Sequence, residues 1–364
     1  MAFEIDYKIC ILLMAVLTGA YVILGGYMAT ALNDFIQGII MIIGICAVIV
    51  SVLQQKGGFL AAVRQLSLIP ADDVAVPALQ GSQGLLTAFF GPDPLNLLGV
   101  VILTSLGTWG LPQMVHKFYT IRDEKAVRTG TVVSTFFAVV VAGGCYFLGG
   151  FGRLFESVVI RTESGAVAYD SIIPQMLSTL PDLLIGIVVV LVFSASMSTL
   201  SSLVLTSSST LTLDFLKKTC WKKMTEKTQL LVIRALVAFF IILSVVLAFN
   251  PPTFIAQLMG ISWGALAGAF LAPFLYGLYS KKITAASVWA SYAVGVGVTV
   301  LNLFLKFIKS PINAGAITMI AGLIVVPLVS CITKKPEKAR IDEIFSCYDA
   351  TVVVHKTQSL EEED

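Results

Sequence analysis

The chain has 364 residues, of which 57% are hydrophobic and 13% charged, with a mean hydropathy of +0.90. A soluble domain carries about 25% charged residues, so the composition excludes a water-soluble enzyme or a nucleic-acid-binding module and points to an integral membrane protein with lipid as a partner. The net charge of +2 adds little, and six cysteines without CxxC spacing leave a metal cluster or disulfide framework unsupported.

Taken in order, the apolar runs read as about nine transmembrane helices, at 8–25, 33–54, 94–116, 129–150, 182–213, 229–249, 254–278, 284–306 and 313–333. Each approaches the ~20 apolar residues that cross a bilayer, and none alternates as a barrel strand would. The start, MAFEID, is acidic and no small-residue cleavage site follows the first run, so it does not read as a signal peptide. The mixed stretch 55–93 reads as an external loop with a short surface helix near Gly58 to Leu68. Basic residues then set the orientation. Lys117, Arg122, Lys125 and Arg128 follow the third span, Lys217, Lys218, Lys222, Lys223 and Lys227 the fifth, Lys281 and Lys282 the seventh, and Lys334, Lys335, Lys338 and Arg340 the ninth. The alternate loops hold only Lys56 and Arg64, Arg153 and Arg161, and Lys306 and Lys309. Lys/Arg excess marks the cytoplasmic side, which places the N-terminus outside and the C-terminus inside. Two regions follow, a transmembrane region over 1–335 and a partly disordered cytosolic tail over 336–364 that ends in SLEEED.

Three constellations interrupt the apolar pattern. The first runs from Gly25-Gly26 to Asp34 and Gln37, where the paired glycines can end one helix and turn the chain. Asp34 then falls in the first turns of an otherwise uncharged span. It is either a carboxylate capping the helix at the interface or an ion ligand or proton carrier inside the bundle. In the second, Gly107, Gly110 and Pro112 weaken the end of the third span around Thr108, Trp109 and Gln113. Broken helices expose backbone groups to substrates in transporters, whereas an interfacial Trp is the plainer reading of Trp109. His116 reads as a solvated loop residue. The third is the fifth span, LVFSASMSTLSSLVLTSSSTLTLDFL. Ser194, Ser198, Ser201 and Ser202 share a helical stripe, with Thr199 one step round. These hydroxyls either bond back to carbonyls one turn earlier or pack helices closely, or they offer neutral oxygens to a weakly held hard cation such as Na+. Later, Asn250-Pro251-Pro252 predicts a turn, Gly260, Gly264 and Gly268 predict close helix packing, and Pro273 predicts a kink.

Together these stretches resemble the sodium:solute symporter family. Gly25-Gly26 through Asp34 and Gln37 is similar to the family's Gly-Gly, Thr-Asp, Gln pattern. Gly110-Leu111-Pro112-Gln113 with the basic loop to Arg128 is similar to the segment after its broken helix. Ala195 to Ser202, closing with Asp214, is similar to its sodium-site helix. The resemblance covers Met1 to about Lys335. It implies an all-α, LeuT-type bundle of two inverted repeats, in which spans one to seven match core helices four to ten and spans eight and nine are peripheral.

It also implies sodium-coupled symport of a small organic solute (an amino acid, sugar or carboxylate) across the cell membrane, with Na+ as coupling ion and no other cofactor. The main sodium site carries over to the Ala195 carbonyl and the Ser198 and Thr199 side chains. A second site carries over to Asp34, Ser198, Ser201 and Ser202, with Asn33 standing where Thr is usual. Thr108, Trp109 and Gln113 are the candidate substrate contacts, and the aromatic pair of proline carriers is replaced by Thr104 and Thr108, which disfavours proline. By the same resemblance the first core helices are absent. The chain is therefore expected to be an N-terminally truncated or split member, with transport impaired when it is expressed alone. The rival functions are a proton-coupled carrier on the same scaffold and a non-transporting sensor or assembly subunit. With no paired His, Cys-His set or nucleotide loop in any span, an enzyme is not expected.

Overall fold

In hydrocarbon every backbone N–H and C=O must be satisfied within the segment, which leaves the helix as the only answer for long non-alternating apolar runs. A computed structural model describes residues 6–71, 74–118, 121, 123–158, 169–250 and 255–349. Helices α1 (Tyr7–Gly26) and α2 (Met28–Gln55) are joined by a kink at Gly26. They are followed by α3 (Phe59–Leu68), α4 (Pro94–Gly110), α5 (Pro112–Phe118), α6 (Glu124–Gly150) and α7 (Tyr169–Leu177). The remainder are α8 (Asp182–Cys220), α9 (Glu226–Phe249), α10 (Ile255–Tyr279), α11 (Ala285–Leu305), α12 (Pro311–Ile332) and α13 (Lys338–Phe345). Among the described residues eight helices, α1, α2, α6 and α8 to α12, are long and apolar enough to span a bilayer. The third expected span, 94–116, is instead a 17-residue helix, α4, continued by α5 after an extended Leu111 (φ −85°, ψ 120°). Two of the helices widen to π geometry, α6 over Ala138–Ala142 and α8 over Thr210–Cys220.

The chain divides into two compact units. The first comprises Met1–Pro70 and Val132–Pro252. In it Ile45, Val48 and Val52 of α2 pack with Leu148 of α6, Met176 and Leu177 of α7, and Val188 of α8. A separate cluster joins Ala15 and Val22 of α1 to Val204 of α8 and to Val237 and Ile241 of α9. The expected surface helix is α3. It buries Ala62 and Leu66, and at its start Phe59 lies 5.8 Å from the Phe147 ring. Lys56 donates to the Leu154 carbonyl (3.0 Å) and lies 4.0 Å from the centre of the Phe155 ring.

The second unit comprises Ala71–Thr131 and Thr253–Asp364. Its core is Leu103, Ala267, Leu271 and Met319. Gly260, Gly264 and Gly268 do bring α10 onto α12. A Cβ at Gly264 would stand 2.7 Å from the Gly315 Cα, and one at Gly268 would stand 2.9 Å from the Thr318 hydroxyl, which itself donates to the Gly264 carbonyl (3.0 Å). Gly107 and Gly110 likewise fit α4 against Trp263 and Ala267, a packing role that their reading as helix breakers missed. The break itself sits one residue later, at Leu111. Pro273, where a kink is expected, lies inside α10.

Part of the expected disordered tail is helical. Asp342 on α13 pairs with Lys281 (2.9 Å), Lys281 lies 5.3 Å from the Phe345 ring centre, and the Tyr348 hydroxyl donates to the Leu278 carbonyl (2.7 Å). The hydrogen bond and charge of Lys281 hold the Asp342 carboxyl below its ordinary range. Both partners are about half exposed, so the pair contributes little to stability and is screened by salt. The SLEEED end, His355, the His116 side chain and the Pro251-Pro252 turn lie outside the described residues.

The backbone at Gly26 (φ 59°, ψ −154°) lies in a region open essentially to glycine alone, and side chains forced there cost about 1–3 kcal/mol. Gly26→Ala is expected to lower the melting midpoint of the purified chain in detergent. Gly130→Ala, on α6 with open space around it, is expected to leave that midpoint unchanged or raise it. Thermal unfolding followed by circular dichroism reads both.

Candidate functional site

The hydroxyl-rich stretch of α8 lies between the two apolar clusters of the first unit, after Val188 and before Val204. These valines are about 24 Å apart at 1.5 Å per residue, so the stretch forms a polar band with a hydrophobic layer at either end. Along the whole of α8 the buried hydroxyls are Ser194, Ser201, Ser208 and Thr212, spaced by seven, seven and four, which sets the face that α8 turns inward. Ser198 and Ser202 are half-buried beside them, as is Ala195, while Thr199 is exposed.

Where the hydroxyl protons go decides what the oxygens can do. Thr199 Oγ1 donates to the Ala195 carbonyl (3.0 Å) and Ser201 Oγ to the Ser198 carbonyl (2.9 Å). Ser208, Ser209 and Thr212 donate in the same way, one turn back. The backbone-bonding reading of these residues is therefore met. It does not exclude the ionic one, because a hydroxyl that has placed its proton keeps two lone pairs for a cation.

Facing this band is the hairpin of α1 and α2. The Tyr21 hydroxyl donates to the Met197 carbonyl (3.0 Å) and lies within reach of the Ser201, Asn33 and Thr18 side chains and of the Asp34 charge. On a straight helix Tyr21 and Asn33 would stand about 18 Å apart, so it is the kink at Gly26 that brings them together. Helix resumes at once after Gly26, with Thr30 Oγ1 donating to the Gly26 carbonyl (2.8 Å), rather than at residue 33 as expected. Asp34 consequently lies past the first turn of α2, where the helix dipole has largely faded, and is half-buried. Its capping reading loses its basis. Its charge acts on the Tyr21 hydroxyl, which lies against Ser201, and this suits the ion-ligand or proton-carrier reading.

The six sequence-predicted sodium residues, Ala195, Ser198, Thr199, Asp34, Ser201 and Ser202, all belong to the first unit. The three substrate candidates belong to the second. There Thr108 donates to the Ser105 carbonyl (3.1 Å), Trp109 is 57% exposed, and Gln113 is half-buried on α5. Asp214, at the end of the α8 motif, pairs with Lys218 on an exposed face (2.7 Å). Sequence reasoning passed over Thr18 and Tyr21. Their spacing of three on one helical face was visible, but their approach to α8 depends on the hairpin.

The sequence profile of the Sodium:solute symporter family matches residues 1–295. The chain belongs to that family. Among relatives of this chain, the osmoregulated proline transporter OpuE of Bacillus subtilis is 25% identical over 93% of this chain and 66% of its own. The sodium/pantothenate symporter of Haemophilus influenzae is 29% identical over 82% and 58%, and the sodium/proline symporter of Staphylococcus aureus 27% over 92% and 64%. The chain thus spans about three fifths of the length of these relatives. A solved Na+-coupled sialic acid symporter in a substrate-bound outward-open state superposes with a TM-score of 0.69 at 16% identity, covering 92% of this chain and 69% of that one. The fold described above is therefore of the LeuT type.

Removing the Tyr21 hydroxyl tests the tie between α1 and α8. Tyr21→Phe keeps the ring and loses one hydrogen bond, typically worth about 1 kcal/mol net. The expected outcome is a small drop in melting midpoint together with faster amide exchange around Gly26, measured by hydrogen–deuterium exchange in detergent. Unchanged exchange there would show that the contact with Met197 does not hold the hairpin.

Proposed function

We propose that this symporter couples the downhill entry of Na+ to the uptake of a small organic solute across the cell membrane. The main Na+ is held by the Ala195 carbonyl with the Ser198 and Thr199 hydroxyls, and a second by Asp34, Ser198, Ser201 and Ser202. The observation that carries this reading is the hydroxyl ladder of α8, in which Thr199 and Ser201 turn their protons to carbonyls one turn back and keep their lone pairs in an apolar setting. Oxygen donors, one carboxylate and no soft ligand suit a small hard cation.

The coupling chemistry follows from differential binding. A cation that binds the outward-facing arrangement more tightly shifts the population toward it, and only that difference does work. The solute is most simply a small carboxylate, since proline, pantothenate and sialic acid, which relatives carry by name, each present one. Thr108, Trp109 and Gln113 beside the break at Leu111 are its proposed contacts, and the absence of an aromatic pair at Thr104 and Thr108 argues against proline itself. The basic ends of α5, α8, α10 and α12 face the cytoplasm by the positive-inside rule. This places α13 and the C-terminus inside and the N-terminus outside.

Uptake measured with the gene at its native locus separates the coupling ions. With Na+ present, Ser198→Ala and Thr199→Ala are each expected to raise the Na+ concentration for half-maximal uptake by about tenfold, the loss of roughly 1.4 kcal/mol per ligand. Replacing Na+ by choline at constant pH is expected to abolish uptake. Uptake that persists in choline would assign Asp34 to proton transfer and overturn the sodium reading.

Sidedness is read by thiol labelling in a background that retains only the exposed Cys220 and Cys347. A membrane-impermeant maleimide is expected to label both in inside-out vesicles and neither in right-side-out vesicles. Gln80→Cys, on the exposed 74–93 stretch, is expected to show the reverse pattern. The opposite result at any of the three inverts the topology.

A further inference from the structure

Two buried oxygens beside the Asp34 cluster have no role in the reading above. Thr18 Oγ1 on α1 and Gln37 Oε1 on α2 belong to residues 0% and 5% exposed, and neither atom has a hydrogen-bond partner among the described residues. A buried polar atom without a partner is destabilising, the more so where no water can reach it. Two on one hairpin therefore call for a ligand.

Register locates Gln37. α2 and α8 run antiparallel: a Cβ at Gly44 would stand 3.1 Å from Leu191, while Ile45, Val48 and Val52 further along α2 pack with Val188, Ile185 and Leu184 further back on α8. Gln37 is two turns before Gly44 on the same face, about 10 Å down α2. The matching step on α8 runs from Leu191 to Ser198, so Gln37 lies across from Ser198. One turn further, Asp34 lies across from Ser201, which agrees with Ser201 lying against the Tyr21 hydroxyl and the Asp34 charge acting on it. Thr18, one turn before Tyr21, comes near the same hydroxyl, but that proton is on the Met197 carbonyl and no hydrogen bond of ordinary geometry joins the two oxygens.

Two protons nearby are already placed, Tyr21's on the Met197 carbonyl and Ser201's on the Ser198 carbonyl. The space between hairpin and α8 is therefore lined mainly by oxygen lone pairs with one carboxylate among them, and Asn33 Nδ2, also buried without a partner among the described residues, is a donor on the same hairpin.

We propose that Thr18 Oγ1 and Gln37 Oε1 are two further ligands of the cation held by Asp34, Ser198, Ser201 and Ser202. This rests on the second-site reading given under the proposed function and extends it from α2 and α8 to α1. One carboxylate with neutral oxygens matches a monovalent hard cation, whereas a divalent ion calls for more carboxylates. Among the described residues no cluster of three His, Cys, Asp or Glu side chains offers a competing metal site. Because its ligands come from both arms of the hairpin, cation binding here ties α1, α2 and α8 together at the point set by Gly26.

The test is 22Na+ binding to the purified 364-residue chain by scintillation proximity, paired with melting midpoints with and without Na+. Thr18→Val and Gln37→Leu keep volume and remove the oxygen. Each is expected to weaken Na+ binding about tenfold and to shrink the Na+-induced rise in midpoint. Without Na+ each midpoint is expected to stay level or rise, since an unsatisfied buried polar group has gone. Thr18→Ser is expected to bind as the parent does. A lowered midpoint without Na+, together with an unchanged Na+-induced rise, would make both residues structural and overturn the proposal. Wild-type Na+ affinity in Thr18→Val and Gln37→Leu, with affinity weakened in Asp34→Asn and Ser201→Ala, would also overturn it while leaving the second site standing. Wild-type affinity in all four would remove the second site itself. If Thr18→Val or Gln37→Leu is not recovered folded, Thr18→Ala and Gln37→Asn carry the same expectations for Na+ affinity.

Discussion

Hydrocarbon offers no partner to a polar atom, and that constraint shapes the first unit of this chain. α8 carries more hydroxyls than packing needs, and it meets the constraint by turning their protons onto its own carbonyls, as at Thr199 to Ala195 and Ser201 to Ser198. Donors are thereby satisfied without leaving the helix. Acceptor capacity is not consumed, because each oxygen retains lone pairs. A helix built this way is stable in an apolar setting and remains basic along one stripe.

The second element is the hairpin at Gly26. A straight helix through residues 7–55 would carry Tyr21 and Asp34 to separate depths, and the α8 band would face only one of them. The reversal lets α1 pack on the Val204 end of α8 while α2 packs antiparallel on its Val188 end. Polar residues of both arms then fall at the band between the two apolar clusters. A single glycine conformation thus decides which side chains share a site, and Gly25, whose Cβ would collide with Ala29, keeps the turn tight.

Much of this was legible in the linear pattern. Hydropathy located the long helices because burial in lipid demands uninterrupted apolar length, and Gly260, Gly264 and Gly268 announced close packing because small-residue spacing maps directly onto one helix face. Ser198, Ser201 and Ser202 were legible for the same reason. Two of the misreadings share a cause. The docking of α13 on Lys281 and the fit of Gly107 against Trp263 depend on a partner distant in sequence, whereas the start of α2 at Met28 is set locally by Gly26 and the Thr30 hydroxyl. Helical periodicity says which residues share a face, but not what that face meets. Thr18 and Gln37 were invisible as a pair because nothing local distinguishes a buried oxygen that lacks a partner from one that has found it.

A cation carrier must also release its cargo, and this favours neutral oxygens over charge. Carboxylates clustered around a bare ion in low dielectric would bind it too strongly to let go within a transport cycle, since Coulomb terms grow as the dielectric falls. Hydroxyl, amide and carbonyl dipoles hold Na+ by smaller increments that a shift of one helix can remove. In the proposed arrangement a single carboxylate, Asp34, supplies the pull, and the rest of the shell supplies geometry. Ser198 belongs to both proposed sites, so a movement of α8 that opens one alters the other. Two ions would then leave in an order set by which helix moves first, rather than by two independent affinities.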